Sequence, residues 1–379
     1  MQFNRSEFQS RVERLRAELR TRKLDALFVD GFEASAYYLN YEAPQTFYPA
    51  GLIPTEGEPF FVLWSLDVPT MRESSWIEDV AGFSDWEDPA IAIARKIRQR
   101  GFDHARIGID LRSHALTVQT FEALKRELPR VEFVDVDGLP WKLRKVKSVA
   151  EIEKLRRAAA ISDATMHEIV EAVKPGVRGR DAARMAVDGY IRRGADAGPL
   201  GVINIAGPGV DDMGFLHGED LDTPLKQGDV LHVELIPRFE GYSARMMRCV
   251  VVGDIPPALE LASRQMIELQ DKQIAAMKPG AIAKDVDRIM RQGALDARLR
   301  DHYTNFSGYT LGYYPERSRG SEVTWIFLPN SEWVLEEGMV FHMYTSGRGI
   351  SISETVLVGP NGGERLTKLE RRLFSSNAV

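Results

Sequence analysis

Leu225-Lys-Gln-Gly-Asp-Val-Leu-His-Val-Glu234 and Leu335-Glu-Glu-Gly-Met-Val-Phe-His-Met-Tyr344 are one pattern written twice, 110 residues apart. A second pair precedes them in the same order. Lys174-Pro-Gly-Val-Arg-Gly-Arg-Asp181 matches Lys278-Pro-Gly-Ala-Ile-Ala-Lys-Asp285, 104 residues on. Two signatures repeated in order at nearly equal offsets mark a duplicated unit of helix, Lys-Pro-Gly stop, helix and antiparallel strands. Two such units can bury their helix pairs against a shared sheet about a pseudo-twofold axis. Strand alternation then places the side chains. In the first copy Leu231, Val233 and Leu235 share one face, while His232 and Glu234 share the other. By the repeat, His342 and Tyr344 take the matching face of the second copy. Four polar side chains on one face make a poor core unless they have partners. A solvent-facing polar strip fits the same alternation, although the long apolar flanks argue against it.

Upstream of the duplication the chain changes character. Val12, Leu15 and Leu19 repeat at helical spacing, which predicts a helix over 8–23. Ala26–Val29, Phe60–Leu63 and Arg106–Ile109 read as short buried strands, and Val131–Val136 as the last strand of that layer. Helices at 88–100 and 115–127 alternate with them, which predicts an α/β layer. A basic stretch, Trp141–Lys147, then runs into Ser148 with Glu151 three residues later, a capping box. Ile152, Leu155, Ile161 and Ile169 continue as one helical face up to Lys174-Pro-Gly. The domain boundary is placed here, giving domains 1–145 and 146–379. A basic loop inside one larger domain is the alternative.

The chain has 379 residues, 49 basic and 55 acidic, with a formal charge of −6. This mild acidity argues against a nucleic-acid partner. A single cysteine, Cys249, excludes a disulfide framework and a multi-cysteine metal site; on an apolar strand it is expected to be buried. No window of the sequence approaches 18 apolar residues, so no membrane span is expected, and no targeting segment opens the chain; a cytoplasmic protein is expected. With seven histidines, histidine chemistry has few candidates.

The motifs, taken in order, resemble the creatinase, prolidase and methionine-aminopeptidase superfamily. Arg11-Val-Glu-Arg-Leu-Arg, Leu24-Asp-Ala-Leu-Phe-Val and Tyr37-Tyr-Leu-Asn resemble its N-terminal domain. Lys147-Ser-Val-Ala-Glu-Ile-Glu-Lys-Leu resembles its entry helix. Leu225–Leu231, Leu335–Phe341 and Glu354-Thr-Val-Leu-Val-Gly resemble its strand signatures. The resemblance implies a creatinase-type α/β N-terminal domain followed by a duplicated "pita-bread" α+β domain. It also implies a homodimer, with residues near 37–48 as candidate contributors to a partner's site.

The departures from the family pattern point to function. Family metallopeptidases hold two metal ions with two Asp, one His and two Glu. The motif alignment puts Glu234, Arg245, Tyr309, Tyr344 and Ser353 at those places, so one acid of five remains. A guanidinium at a bridging-carboxylate position repels divalent metal. The sequence therefore resembles the metal-free branch, creatinase-like and ectoine hydrolase-like members, and no metal or cofactor is expected. Ser307-Gly-Tyr-Thr-Leu-Gly-Tyr-Tyr-Pro315, Phe341-His-Met343 and Ile352-Ser-Glu-Thr-Val-Leu-Val are similar to the ectoine hydrolases. Met247 stands where creatinase-like members carry a carboxylate beside the arginine matching Arg248, which argues against creatine. His217, eleven residues before Gly228, matches the family's proton-transferring histidine.

The expected activity is metal-independent hydrolysis of a non-peptide C–N bond in a small zwitterion, such as an ectoine-like cyclic amidine. The expected roles are Glu234 as nucleophile or base on water, His217 as acid/base, and Tyr309 as donor to developing charge. Arg245 would hold a substrate carboxylate or orient Glu234. His232, His342, Tyr344 and Glu354 would line the substrate, Glu354 having a structural arginine partner as its alternative. Two other readings stay open. One is an Xaa-Pro-type metallopeptidase using His232, Glu234 and His342 on a single ion. The other is a non-catalytic peptide- or partner-binding module.

Overall fold

Local signals and tertiary packing divide the work of setting the elements in a computed structural model of the chain. The structure describes all residues except 1–2, 43, 45, 197–199, 211–213, 219, 315–323 and 378–379. The described residues divide into two compact units, one ending at Arg144 and one beginning at Lys145.

The first unit runs α1 (Arg5–Thr21), β1 (Ala26–Val29), α2 (Phe32–Leu39), β2 (Ala50–Pro54), β3 (Phe60–Trp64), α3 (Val68–Ser74), β4 (Asp79–Phe83), α4 (Pro89–Gln99), β5 (Arg106–Ile109), α5 (Val118–Glu127), β6 (Glu132–Asp135) and α6 (Leu139–Lys142). Its strands form one mixed sheet in the order β4-β3-β2-β1-β5-β6. The helices and strands expected from periodicity are present within a few residues of their expected ends. The short α2, β2 and β4 were not expected, because Ala50-Gly-Leu-Ile-Pro54 and Asp79-Val-Ala-Gly-Phe83 lack a clean period. Phe28, Leu52, Phe60, Ile93, Ile97, Ile107 and Leu124 meet in one core, so α4 and α5 cover a face of this sheet. Tyr37 and Tyr38 are buried inside the unit, and the Arg11 guanidinium lies 4.1 Å from the Tyr37 ring centroid. Both tyrosines are thus core residues of this unit. Glu42, Pro44 and Thr46 are exposed, and residues 43 and 45 lie outside the described set.

The second unit carries α7 (Val149–Ala172), α8 (Gly179–Arg192), β7 (Ile203–Ala206), β8 (Val230–Leu235), β9 (Arg238–Phe239), β10 (Tyr242–Ser243), β11 (Met246–Val251), α9 (Pro257–Ala276), α10 (Ala283–Asp296), β12 (Gly308–Thr310), β13 (Val340–Gly347), β14 (Ile350–Val358), β15 (Gly363–Arg365) and β16 (Phe374–Ser375). The capping box forms: Ser148 Oγ accepts from Glu151 N at 3.2 Å and Glu151 Oε2 from Ser148 N at 2.9 Å. The duplication is visible hydrogen bond by hydrogen bond. Gly176 N donates to Leu225 O at 2.8 Å, and Gly280 N to Leu335 O at 2.9 Å. Leu225 N reaches Val177 O at 2.8 Å, and Leu335 N reaches Ala281 O at 2.9 Å. Gly176 and Gly280 have φ of 90° and 87°, a backbone that only glycine adopts without strain. Each repeated Lys-Pro-Gly thus ends a helix and pins the turn to the start of its own strand signature.

The main sheet follows β12-β13-β14-β11-β8-β7, with β15 on β14 and β16 on β11. Cross-strand partners point to the same side. Glu234 faces Met247, Met247 faces Ser353, Ser353 faces Tyr344, and His342 faces both Thr355 and Tyr309. The opposite side carries Leu231, Val233, Leu235, Met246 and Val250 against α7 and α8. It also carries Phe341, Met343, Val356 and Val358 against α9 and α10. Helices therefore cover one side of the sheet, and the polar residues gather on the other.

Candidate active site

Glu234, His232, His342 and Tyr344 are all buried, at 5, 0, 0 and 7% exposure, so the face is not a solvent strip. Arg245, just before β11, brings its Nη1 to 3.5 Å from Glu234 Oε1 and donates from the same nitrogen to the Tyr309 hydroxyl oxygen. Its Cζ stands 5.2 Å from the Tyr309 ring centroid. The Tyr309 hydroxyl lies 2.7 Å from His342 Nδ1. An arginine donates and cannot accept. A phenol oxygen that already accepts from a guanidinium becomes a better donor. The proton between Tyr309 and His342 is therefore assigned to Tyr309, with His342 Nδ1 accepting it. Burial and the Arg245 charge push the His342 pKa well down, so this imidazole is neutral. Its Nε2 is buried with no hydrogen-bond partner among the described residues.

The aromatic wall continues from there. His342 and Tyr344 stack at 5.3 Å and 17°. Phe306 sets its edge against Tyr309 at 5.3 Å and against Tyr344 at 6.1 Å. Asn305 Nδ2 donates to the Tyr344 hydroxyl at 2.9 Å. Burial raises the Tyr344 pKa well above the usual phenol range, so it stays protonated.

Three residues expected at the site stand apart from this group. His232 shares the face, but its Nδ1 faces Ser351 Oγ at 2.8 Å and its ring meets Phe215 at 5.1 Å; burial lowers its pKa to about 3. Glu354 points to the helix side, the register neighbour of Met343 rather than of Tyr344. There, fully buried, it meets Arg248 Nη2 at 2.7 Å and accepts from the Thr367 hydroxyl. Strand alternation thus removes Glu354 from the polar face and makes it a structural ion-pair partner, correcting its expected place beside the substrate. His217 is exposed behind the 3₁₀ turn Gly214–Leu216. Among the described residues no hydrogen bond or ring contact joins it to Glu234, Arg245 or Tyr309. The turn itself is tied down, since Asn204 Nδ2 donates to Phe215 O at 3.5 Å. Cys249 is buried, and desolvation pushes its thiol to about 11, which makes it a poor nucleophile.

Two divalent ions need several carboxylate or imidazole donors around a common centre. Among the described residues the polar face offers one carboxylate, with a guanidinium against it, so this donor set does not fit a dinuclear centre. His232, Glu234 and His342 do not form a metal-holding cluster either, as no such group of three occurs among the described residues. Among those residues no helix is long and apolar enough to cross a membrane.

Asn305, Phe306 and Arg300 are the site residues that sequence reasoning missed. They lie in an irregular loop before β12 with no period to read, and only their nearness to Tyr309, placed by the family motif, marks them.

Comparison with known proteins agrees with this architecture. The chain is 25% identical over 395 residues to the ectoine hydrolase of Halomonas elongata, covering 98% of each chain. It is 27% identical over 268 residues to the Xaa-Pro dipeptidase of Pyrococcus furiosus, covering 68% of this chain and 73% of that one. Among solved structures, the dipeptidase PepE from Mycobacterium ulcerans superposes with a TM-score of 0.83 at 22% identity, covering 99% of each chain. Residues 11–146 match the creatinase/prolidase N-terminal domain. Residues 153–360, more than half the chain, match metallopeptidase family M24, and the chain belongs to that family.

Proposed function

We propose that this chain is a metal-independent hydrolase of a non-peptide C–N bond in a small zwitterionic molecule, an ectoine-like cyclic amidine. The observation that carries the reading is the contact of Arg245 with both Glu234 and Tyr309 on the face where family members gather metal-binding acids. The full-length likeness to an ectoine hydrolase supports the same substrate class. In this reading Glu234 takes a proton from the water that attacks the amidine carbon, or attacks that carbon itself to form a covalent ester that water then cleaves, freeing Glu234. Arg245 pairs with the Glu234 carboxylate and holds it in place. His217 returns a proton to the nitrogen that leaves as the ring C–N bond breaks. Its exposed position suits exchange of that proton with solvent.

An Xaa-Pro dipeptidase is the second reading, favoured by the Pyrococcus furiosus relative. The test is metal analysis of the purified protein together with turnover of ectoine and of an Xaa-Pro dipeptide, with and without chelator. Ectoine hydrolysis indifferent to chelator, and abolished in a folded Glu234→Gln variant, is the expected result. A stoichiometric transition metal with dipeptide cleavage overturns the proposal. The proposal includes a homodimer, which sedimentation of the full chain checks.

A further inference from the structure

The loop before β12 carries a chain of one-way hydrogen bonds that fixes a donor in the site. Arg300 Nη1 lies 2.9 Å from Asn305 Oδ1. A guanidinium has only donors, so the Asn305 atom facing it is the carbonyl oxygen, and this settles which way the amide is turned. The Asn305 nitrogen then faces Tyr344, and the Tyr344 oxygen accepts at 2.9 Å. The Tyr344 proton is consequently not used by Asn305, and among the described residues no other acceptor takes it.

Directly opposite in the β13–β14 ladder stands Ser353. It is fully buried, and its Oγ has no hydrogen-bond partner among the described residues. A buried hydroxyl left unpaired costs about 1–3 kcal/mol, so two uncommitted O–H donors rising from the same face of adjacent strands point to a ligand that accepts from both. The loop is braced to hold this arrangement. Asp287, fully buried, meets Arg291 Nε at 2.6 Å, and Arg291 donates on to Tyr303 O at 2.6 Å and Asn305 O at 2.9 Å. Nη1 of Arg245 is engaged elsewhere, with Glu234 and Tyr309.

We propose that the Tyr344 hydroxyl and the Ser353 hydroxyl together bind the carboxylate of the substrate, with Asn305 and Arg300 as positioning residues that turn the Tyr344 proton toward it. This rests on the hydrolase reading above and reassigns the carboxylate-holding role from Arg245. Two neutral donors suit the place, because a second cation beside Arg245 would compete for Glu234.

The test compares kcat/KM for a carboxylate-bearing substrate and for its analogue without the charge. The pairs are ectoine against the cyclic amidine lacking its carboxylate, and an Xaa-Pro dipeptide against its C-terminal amide. Tyr344→Phe and Ser353→Ala are each expected to lower kcat/KM for the acid by about 10- to 100-fold through KM, and to leave the uncharged analogue within about twofold. Asn305→Ala should produce a smaller loss of the same selective kind. Equal losses on both members of a pair, or none, overturn the carboxylate site. Wild type active only on the dipeptide overturns the amidine reading, and the site is then judged on the dipeptide pair. Wild type inert on every substrate overturns both.

Discussion

Glu354→Ala and Glu354→Gln separate a structural carboxylate from one that meets substrate. The wild-type carboxylate is fully buried and opposed by Arg248, whose side chain also donates to Met247 O at 2.8 Å, Ser353 O at 2.9 Å, Leu369 O at 2.9 Å and Glu370 O at 3.1 Å. Arg248 thus fastens the segment before β16 to the middle of the sheet. Glu354→Ala leaves that guanidinium buried without its counter-charge, a change that costs about 3–5 kcal/mol. At 2–4 °C per kcal/mol for a unit of about 230 residues, Tm should fall by roughly 6–20 °C. Glu354→Gln keeps an oxygen for Arg248 and the volume of the side chain, so its loss should be a fraction of this. The assay is thermal unfolding by circular dichroism beside steady-state turnover at a temperature where each variant remains folded. Both variants should keep kcat within a few-fold of wild type. A folded Glu354→Gln protein of near-native Tm that has lost turnover by a factor of about 100 or more would refute the reasoning, for it would put the carboxylate in the reaction.

Two further outcomes are expected. His217→Ala should lower kcat by about 10²- to 10⁴-fold, as loss of a proton-transfer group does; an effect confined to KM in steady-state kinetics would mean that His217 only binds. Asp30, buried after β1 and accepting from Tyr48 at 2.8 Å and Ser113 at 3.1 Å, has its pKa raised from 3.8 to about 6, mainly by desolvation. Between those values the folded chain holds a proton that the unfolded chain has released, so stability falls as pH rises through that window, by about 3 kcal/mol in all. Asp30→Asn removes this dependence, and urea unfolding of both proteins at pH 4 and pH 7 should show the difference between them shifting by most of that amount, about 2.4 kcal/mol; a pH-independent difference would contradict it.

The duplication, the capping box at Ser148 and the face shared by His232 and Glu234 were all legible in the chain, because each depends on short-range spacing. Repeated Lys-Pro-Gly and Leu-x-x-Gly signatures announce helix stops and strand starts wherever they occur, and a strand's alternation is fixed by its own backbone. The departures at Arg245, Tyr309, Tyr344 and Ser353 were legible as well, since they are substitutions within recognisable motifs. Tertiary structure decided what spacing does not encode. Whether Glu354 faced the polar side depended on the register between β13 and β14, since a shift of one residue exchanges the faces. Which atom of Tyr309 carries a proton toward which neighbour depended on Arg245 arriving from another strand. Asn305 and Arg300 entered the site only because a loop with no period folds back over β13. The sequence by itself determined the longer periodic elements, their duplication and the replacement of acids by a guanidinium. The pairing of strands decided which of those side chains meet, because hydrogen-bond direction and burial are properties of neighbours brought together from far apart in the chain.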